Sequence, residues 1–219
     1  MVDSPSALKI LIVDDHHLML KGTIDVVQGQ FPDAQIDSAQ TATEAIAQIK
    51  AHIPDLVMLD LSIPKDAGEP AHTDHGLELL HQIMAEYPDL NLVIQSSMVK
   101  ALIRLMPEID RHKGGFTTAD KGLPIETLLT RIDWSRQGLS YTKDLQMDLE
   151  LKPEWLEVLN LAFNEGLQDK AIAQHLYKSE RMVRHYWSKI QDALGVYPEP
   201  GKSMRMLTQI RARELGLID

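Results

Sequence analysis

Three short apolar runs recur in the first half of the chain: LKILIV (8–13), DLVMLD (55–60) and LNLVIQS (90–96). Each is too short for a typical helix and lacks the alternation of a half-exposed strand, so each reads as a strand buried on both faces. A weaker strand, AQIDSA (34–39), and a short GGFTT (114–118) complete a set of five. Between them the period becomes helical. TATEAIAQIK (41–50) places Thr41 and Glu44 in capping-box spacing and Ile46 and Ile49 on one face. GLELLHQIMAEYP (76–88) stops at Pro88, and PIETLLTRIDW starts from Pro124, a good first-turn residue. Strands alternating with helices over residues 1–135 predict an α/β domain built on a doubly wound, five-stranded parallel sheet.

After Trp134 the pattern changes. SRQGLSYTKDLQMDLE (135–150) is polar with alternating charge, and residues 136–150 read as a linker. Residues 151–219 then predict a small all-α domain. PEWLEVLNLAFNEG (153–166) runs from Pro153 to Gly166, with Trp155, Leu159, Ala162 and Phe163 as its apolar face. QDKAIAQHLY (168–177) turns Ile172 and Leu176 inward. Ser179 caps ERMVRHYWSKIQDALG, which ends at Gly195. Two short helices joined by a tight turn form a helix-turn-helix pattern. On the last of them Val183, Trp187 or Tyr186, Ile190 and Leu194 recur at core spacing, leaving Arg181, Arg184, His185, Ser188 and Lys189 on the opposite side.

Composition adds the division of charge. The net charge of the 219 residues is −10. Residues 1–150 hold 12 Lys and Arg against 23 Asp and Glu, a net −11, whereas residues 151–219 hold 10 against 9, a net +1. The acidic total therefore does not exclude a nucleic-acid partner for the second domain, which can present one basic face. There is no cysteine, so disulfide and thiolate chemistry are excluded. No membrane-length apolar run or leader segment is visible, and a cytoplasmic location without membrane partners is expected.

Candidate chemistry sits at the strand ends. In an open α/β sheet, ligands bind beyond the carboxyl ends of the strands. Here those ends carry Asp14 and Asp15, then Asp60, then Ser96 and Ser97. Three carboxylates at one edge repel one another and suit a hard divalent cation, of which Mg²⁺ leaves positions open for phosphate oxygens. His16 and His17 are neighbours at a helix start, so they diverge by about 100° and do not form a ligand pair. The loop KDAGEPAHTDH after Pro64 contains His72, His75, Asp66, Glu69 and Asp74, and reads as a solvated, turn-rich segment rather than a metal site.

The motifs LIVDDHHLML and DLVMLDLSIP, with the strand end at Ser96, resemble the receiver domain of two-component response regulators, over roughly residues 7–135. Residues 151–219 are similar to the LuxR-type helix-turn-helix of the NarL/FixJ group through Leu151, Pro153, Val158, Leu159, Gly166, Ile172, Ala173, Leu176, Ser179, Glu180, Val183, Arg184, Ile190, Leu194 and Gly195. The resemblance implies a flavodoxin-like receiver that is not an enzyme in its own right. It makes Asp60 the acceptor of a phosphoryl group from a histidine kinase or phosphotransfer protein. It also implies Mg²⁺ held by Asp14, Asp15, Asp60 and the Ser62 backbone, with Ser96 and Phe116 as switch residues. Double-stranded DNA would be read by Arg181, Arg184, His185, Ser188 and Lys189, and a phosphorylation-dependent homodimer would use the last helix (203–215), whose Met204, Leu207 and Ile210 suit either that seam or simply the core.

Two departures stand out. The receiver lysine at the end of the fifth strand falls on Ala119, while Lys121 lies two residues late and reaches the site only if the loop bulges. The loop before Gly76 is also long. These features keep a second reading open, an atypical receiver regulated by a protein or small molecule without phosphorylation. A C-terminal protein-interaction module is a third.

Overall fold

β1 (Lys9–Val13) and β3 (Leu56–Leu59) lie side by side in the sheet, with β4 (Asn91–Gln95) and β5 (Phe116–Ala119) following in parallel. β1, β3, β4 and β5 are largely or wholly buried, as continuous apolar runs require. β2 (Gln35–Ala39) is the weaker strand and takes an edge, where Gln35, Asp37 and Ser38 meet water. A computed structural model describes residues 7–146 and 151–218. They divide into two compact units: residues 7–99 and 105–144 form the sheet-containing one, and residues 145–146 and 151–218 together with 100–104 form the helical one.

In the first unit the helices α1 (His17–Gln30), α2 (Ala42–Ala51), α3 (Thr73–Glu86) and α5 (Ile125–Arg136) connect the strands; in chain order a 3-10 turn over Val99–Leu105 and a short α4 (Met106–Ile109) come between β4 and β5. Alternate strand residues face opposite layers. Ile10, Ile12, Met58 and Val93 pack with Leu20 and Val27 of α1 and Leu128 and Ile132 of α5. Leu11, Val13, Val57 and Leu59 point the other way, toward the layer of α2 and α3. The α2 cap forms as its spacing predicts. Thr41 Oγ1 accepts the Glu44 N–H at 3.1 Å, and Glu44 reaches back to the Gln40 N–H at 2.9 Å.

The sheet has six strands, not five, in the order β2-β1-β3-β4-β5-β6. β6 (Ser140–Tyr141) lies inside the stretch that reads as linker and pairs in parallel with Phe116 and Thr117 of β5. Two residues carry no periodic signal, and what holds them is tertiary. The Arg131 guanidinium stacks 3.4 Å from the Tyr141 ring centroid and 5.0 Å from that of Trp134, tying β6 to α5. A second difference is at α3, which begins at Thr73 rather than Gly76 and so absorbs part of the long loop. Gly76 is obligatory there, since a Cβ would lie 2.1 Å from the Leu61 carbonyl oxygen.

The helical unit contains α7 (Pro153–Phe163), α8 (Asp169–His175), α9 (Glu180–Leu194) and α10 (Met204–Glu214), after a short α6 (Lys143–Gln146). Val158, Leu159, Leu161, Ile172, Ala173, Val183, Ile190, Leu194 and Ala212 form its core. On α7 the buried face is Val158, Leu159 and Leu161, whereas Trp155, Ala162 and Phe163 are only half-buried at its border. Both Tyr186 and Trp187 are buried, so α9 presents a wider apolar stripe than either alone. No helix among the described residues is long and apolar enough to cross a membrane.

Candidate functional site

The strand ends converge because the sheet hydrogen bonds continue past them. The Asp14 N–H donates to the Ala39 carbonyl, Asp60 to Val13 and Ser96 to Ala119, at 2.9–3.1 Å. Asp14, Asp60 and Ser96 are thereby aligned at one edge, all buried. One oxygen each from Asp14, Asp15 and Asp60 and a ring nitrogen of His16 lie within 4.8 Å of one another. Among the described residues no other group of three or more His, Asp or Glu does so, and the 65–75 loop holds none. That loop is ordered by local bonds instead: a bridge from His72 to Ile63, a turn from Asp66 to Glu69, and an edge contact between the His72 and His75 rings.

Lys121 completes the site. Its Nζ lies 2.7 Å from Asp14 Oδ2 and 2.7 Å from Asp60 Oδ2. Ala119 ends β5 with its carbonyl committed to Ser96, so the strand itself supplies no cation. A turn then folds back: Asp120 Oδ1 accepts the Gly122 N–H at 2.7 Å and its carbonyl accepts Leu123 N–H. The two-residue delay is taken up by this turn, and the lysine reaches the edge from the loop. Burial pulls the Lys121 pKa down, but its hydrogen bonds to Asp14 and Asp60 more than offset this and hold it above the ordinary value.

The remaining polar atoms are arranged around these three residues. Asp60 Oδ1 accepts the Ser62 N–H at 3.2 Å, and Asp14 Oδ1 accepts the His16 N–H at 2.9 Å. Asp15 Oδ1 is buried with no aligned hydrogen-bond donor, although His16 Nδ1 stands 2.7 Å away in ion-pair range. His17 turns toward the Gln40 amide. Lys121 meets Asp14 and Asp60 while Asp15 faces the His16 ring, so the three carboxylates keep spare hard oxygen donors, a set that fits a hard divalent cation. Ser96 Oγ accepts the Met98 N–H at 3.1 Å. Phe116 is fully buried, with the His112 ring set edge-on at 6.3 Å. His112 Nε2 donates to the Leu90 carbonyl, and burial lowers its pKa.

In the helical unit, Arg181, Arg184, His185, Ser188 and Lys189 are all exposed along one side of α9. Arg184 and Lys189 make only loose surface pairs, 3.8 Å to Glu180 and 4.0 Å to Asp192. The back of the helix is anchored by a network with no sequence signal. Trp187 Nε1 donates to Asp169 of α8 at 3.1 Å, and Arg205 of α10 pairs with the same carboxylate and covers the Trp187 ring at 3.6 Å. On α10, Met204 and Leu207 pack on the core, so the exposed apolar pair is Met206 and Ile210. Of the two roles open to Met204, Leu207 and Ile210, Met204 and Leu207 take the core one, and Ile210 is exposed.

A parallel sheet with an acidic edge and a lysine entering from the last loop defines a receiver. Residues 10–107 match the family model described as the response regulator receiver domain. It is 24% identical over 203 residues to the DNA-binding transcriptional activator DevR/DosR of Mycobacterium tuberculosis, covering 86% of this chain and 89% of that protein. It is 25% identical over 215 residues to the oxygen regulatory protein NreC of Staphylococcus carnosus, covering 88% and 94%. Among solved structures it is similar to RcsB in complex with DNA, with a TM-score of 0.62 at 20% identity over 96% of this chain and 100% of that one. RcsB from Salmonella enterica serovar Typhimurium bound to a promoter matches at a TM-score of 0.62 and 21% identity over 95% and 99%. These likenesses show a shared fold across both units. The two relatives matched over most of their length are both named as regulators.

Proposed function

We propose that this chain is a transcription regulator whose DNA binding is controlled by phosphorylation of Asp60. The observation that carries the reading is Lys121 bridging Asp14 and Asp60 at the carboxyl edge of the sheet. It removes the main motive for a receiver regulated without phosphorylation, the small residue at Ala119.

Asp60 is the nucleophile. One carboxylate oxygen attacks the phosphorus of a phosphohistidine on a kinase or phosphotransfer protein, the P–N bond breaks, and the imidazole leaves. Asp14, Asp15, Asp60 and the Ser62 backbone would hold Mg²⁺, which when bound would supply positive charge to the transferring phosphoryl oxygens. Lys121 then exchanges a carboxylate partner for a phosphoryl oxygen, a charge-assisted bond of equal kind. Ser96 is buried within the same edge, and as it moves toward the phosphoryl group it donates its hydroxyl there. Phe116 fills the space that this movement opens. The resulting shift between two receiver surfaces favours a homodimer, to which Met206 and Ile210 of α10 contribute. α9 then enters the major groove, with Arg181, Arg184, His185, Ser188 and Lys189 toward the bases and phosphates. The setting is the cytoplasm, where phosphohistidine donors and DNA are both present.

Treatment with a small phosphoryl donor and Mg²⁺, followed by intact mass, tests the reading. One phosphoryl adduct is expected on the wild-type chain and none on Asp60→Asn. No adduct on the wild type, or one that survives the substitution, would overturn it.

A further inference from the structure

The turn between α8 and α9 contains the single non-glycine residue among those described with a positive φ. Tyr177 stands at φ 53°. It occupies the position just past the α8 C-cap, where the Lys178 N–H donates back to the Ala173 carbonyl at 2.8 Å. Glycine is the usual residue there because it has no Cβ to clash with the neighbouring carbonyl. The same unit illustrates the rule. α9 closes with the Val196 N–H on the Gln191 carbonyl around Gly195 at φ 65°, and α10 with Leu217 on Ala212 around Gly216 at φ 67°. α7 is followed by Gly166 at φ 70°. Three of the four ends use glycine and α8 alone uses a tyrosine.

Packing does not explain the exception. The Tyr177 side chain is 96% exposed, the most exposed of the large apolar side chains. It therefore contributes neither core burial nor ring contact while keeping a strained backbone, and unexplained strain of this kind gathers at functional positions. Its neighbours are also open and cationic or polar: Lys178, Ser179 and Arg181 are exposed. The residue sits three positions before α9, whose exposed side carries the basic face.

We propose that Tyr177 is a DNA-backbone contact, its phenol donating a hydrogen bond to a phosphate oxygen at the rim of the groove that α9 enters. The inference rests on the DNA-binding reading above and extends it to the turn. A recognition helix meets the bases through its first residues, so the turn that precedes it is carried to the edge of the groove. Tyrosine is among the side chains that donate to phosphates, and such contacts position the protein without reading sequence. The left-handed conformation directs a long, polar-tipped side chain away from the domain, at a cost in stability that a glycine would relieve.

The test uses the full-length chain, treated with phosphoryl donor and Mg²⁺, and fluorescence anisotropy against two unrelated duplex DNAs at several salt concentrations. Tyr177→Gly is expected to bind both duplexes about fivefold more weakly, the size of one lost hydrogen bond, with a Tm equal to or above wild type. Tyr177→Phe, which keeps ring and strain, is expected to show the same loss. Because tyrosine is neutral, the salt slope stays unchanged. Full affinity in either variant overturns the proposal, as does a lower Tm for Tyr177→Gly, which would make the residue structural. If wild type itself binds neither duplex, the DNA-binding reading fails before the variants are compared.

Discussion

At the sheet edge, Asp14, Asp60 and Lys121 meet from three separate loops and are nearly shielded from water, the lysine pairing across 107 and 61 positions of sequence. On α9, five polar side chains come from one stretch of nine residues and all stand in solvent. The two surfaces differ in what a change does to them. Buried charges depend on one another, so removing one leaves the others uncompensated and the fold suffers. Exposed charges are solvated alone, so removing one costs binding but little stability.

The strongest way to break this contrast is Lys121→Ala. Asp14 and Asp60 then face each other without a cation, and the expected loss is about 2–3 kcal/mol in chelator, discounted from a fully buried pair because Lys121 keeps some exposure. Added Mg²⁺ is expected to restore much of it, and divalent-cation affinity to rise, since the ammonium no longer competes for the same oxygens. Thermal denaturation with and without Mg²⁺ checks both. A stability unchanged in chelator would show that the edge behaves like a surface.

Next in size is the double change Arg184→Ala with Lys189→Ala. Duplex affinity is expected to fall about 30-fold and the slope of log affinity against log salt to lessen by about 2, with the unfolding free energy within about 0.5 kcal/mol of wild type. Salt-titrated anisotropy and denaturant unfolding measure the two sides.

Behind the exposed face, α9 has its own buried dependence. Trp187→Phe deletes the bond to Asp169 and weakens the stacking of Arg205, for an expected loss of about 1–2 kcal/mol without a change in salt slope. The smallest effect concerns pH. His112 is held neutral by burial, so the unfolded chain binds the proton more readily. Its stabilising contribution is present above the ordinary histidine value of 6.5 and is lost as pH falls through the lowered folded value. His112→Gln is expected to flatten that acid-side slope, which unfolding at a series of pH values would detect.

Much of the candidate chemistry is legible in the sequence. Asp14, Asp15 and Asp60 end apolar runs, and the site rule for open sheets places such ends together. The basic side of α9 followed from 3.6-residue periodicity alone. What periodicity missed is short or long-range. β6 is two residues long and is held by its pairing with β5 and by the Arg131 guanidinium on Tyr141. The Asp169–Trp187–Arg205 network joins three helices with no spacing in common. The face of α7 was misplaced, since Val158 and Leu161 are buried more deeply than Trp155 and Phe163. The last case depends on which neighbours a helix meets, and a helix cannot specify that by itself.

The order of strands and helices, the acidic edge and the exposed basic helix follow from local rules, because hydrophobic period and strand-end position are properties of a chain segment. Whether the edge has a cation does not. At the level of sequence Ala119 stands where the lysine belongs, and Lys121 is a loop residue. Only the turn closed by Asp120 brings its ammonium within 2.7 Å of two carboxylates. The physical reason is that an ion pair in a low-dielectric site is decided by distance in space, and distance in space between residues a hundred positions apart exists only once the sheet has formed.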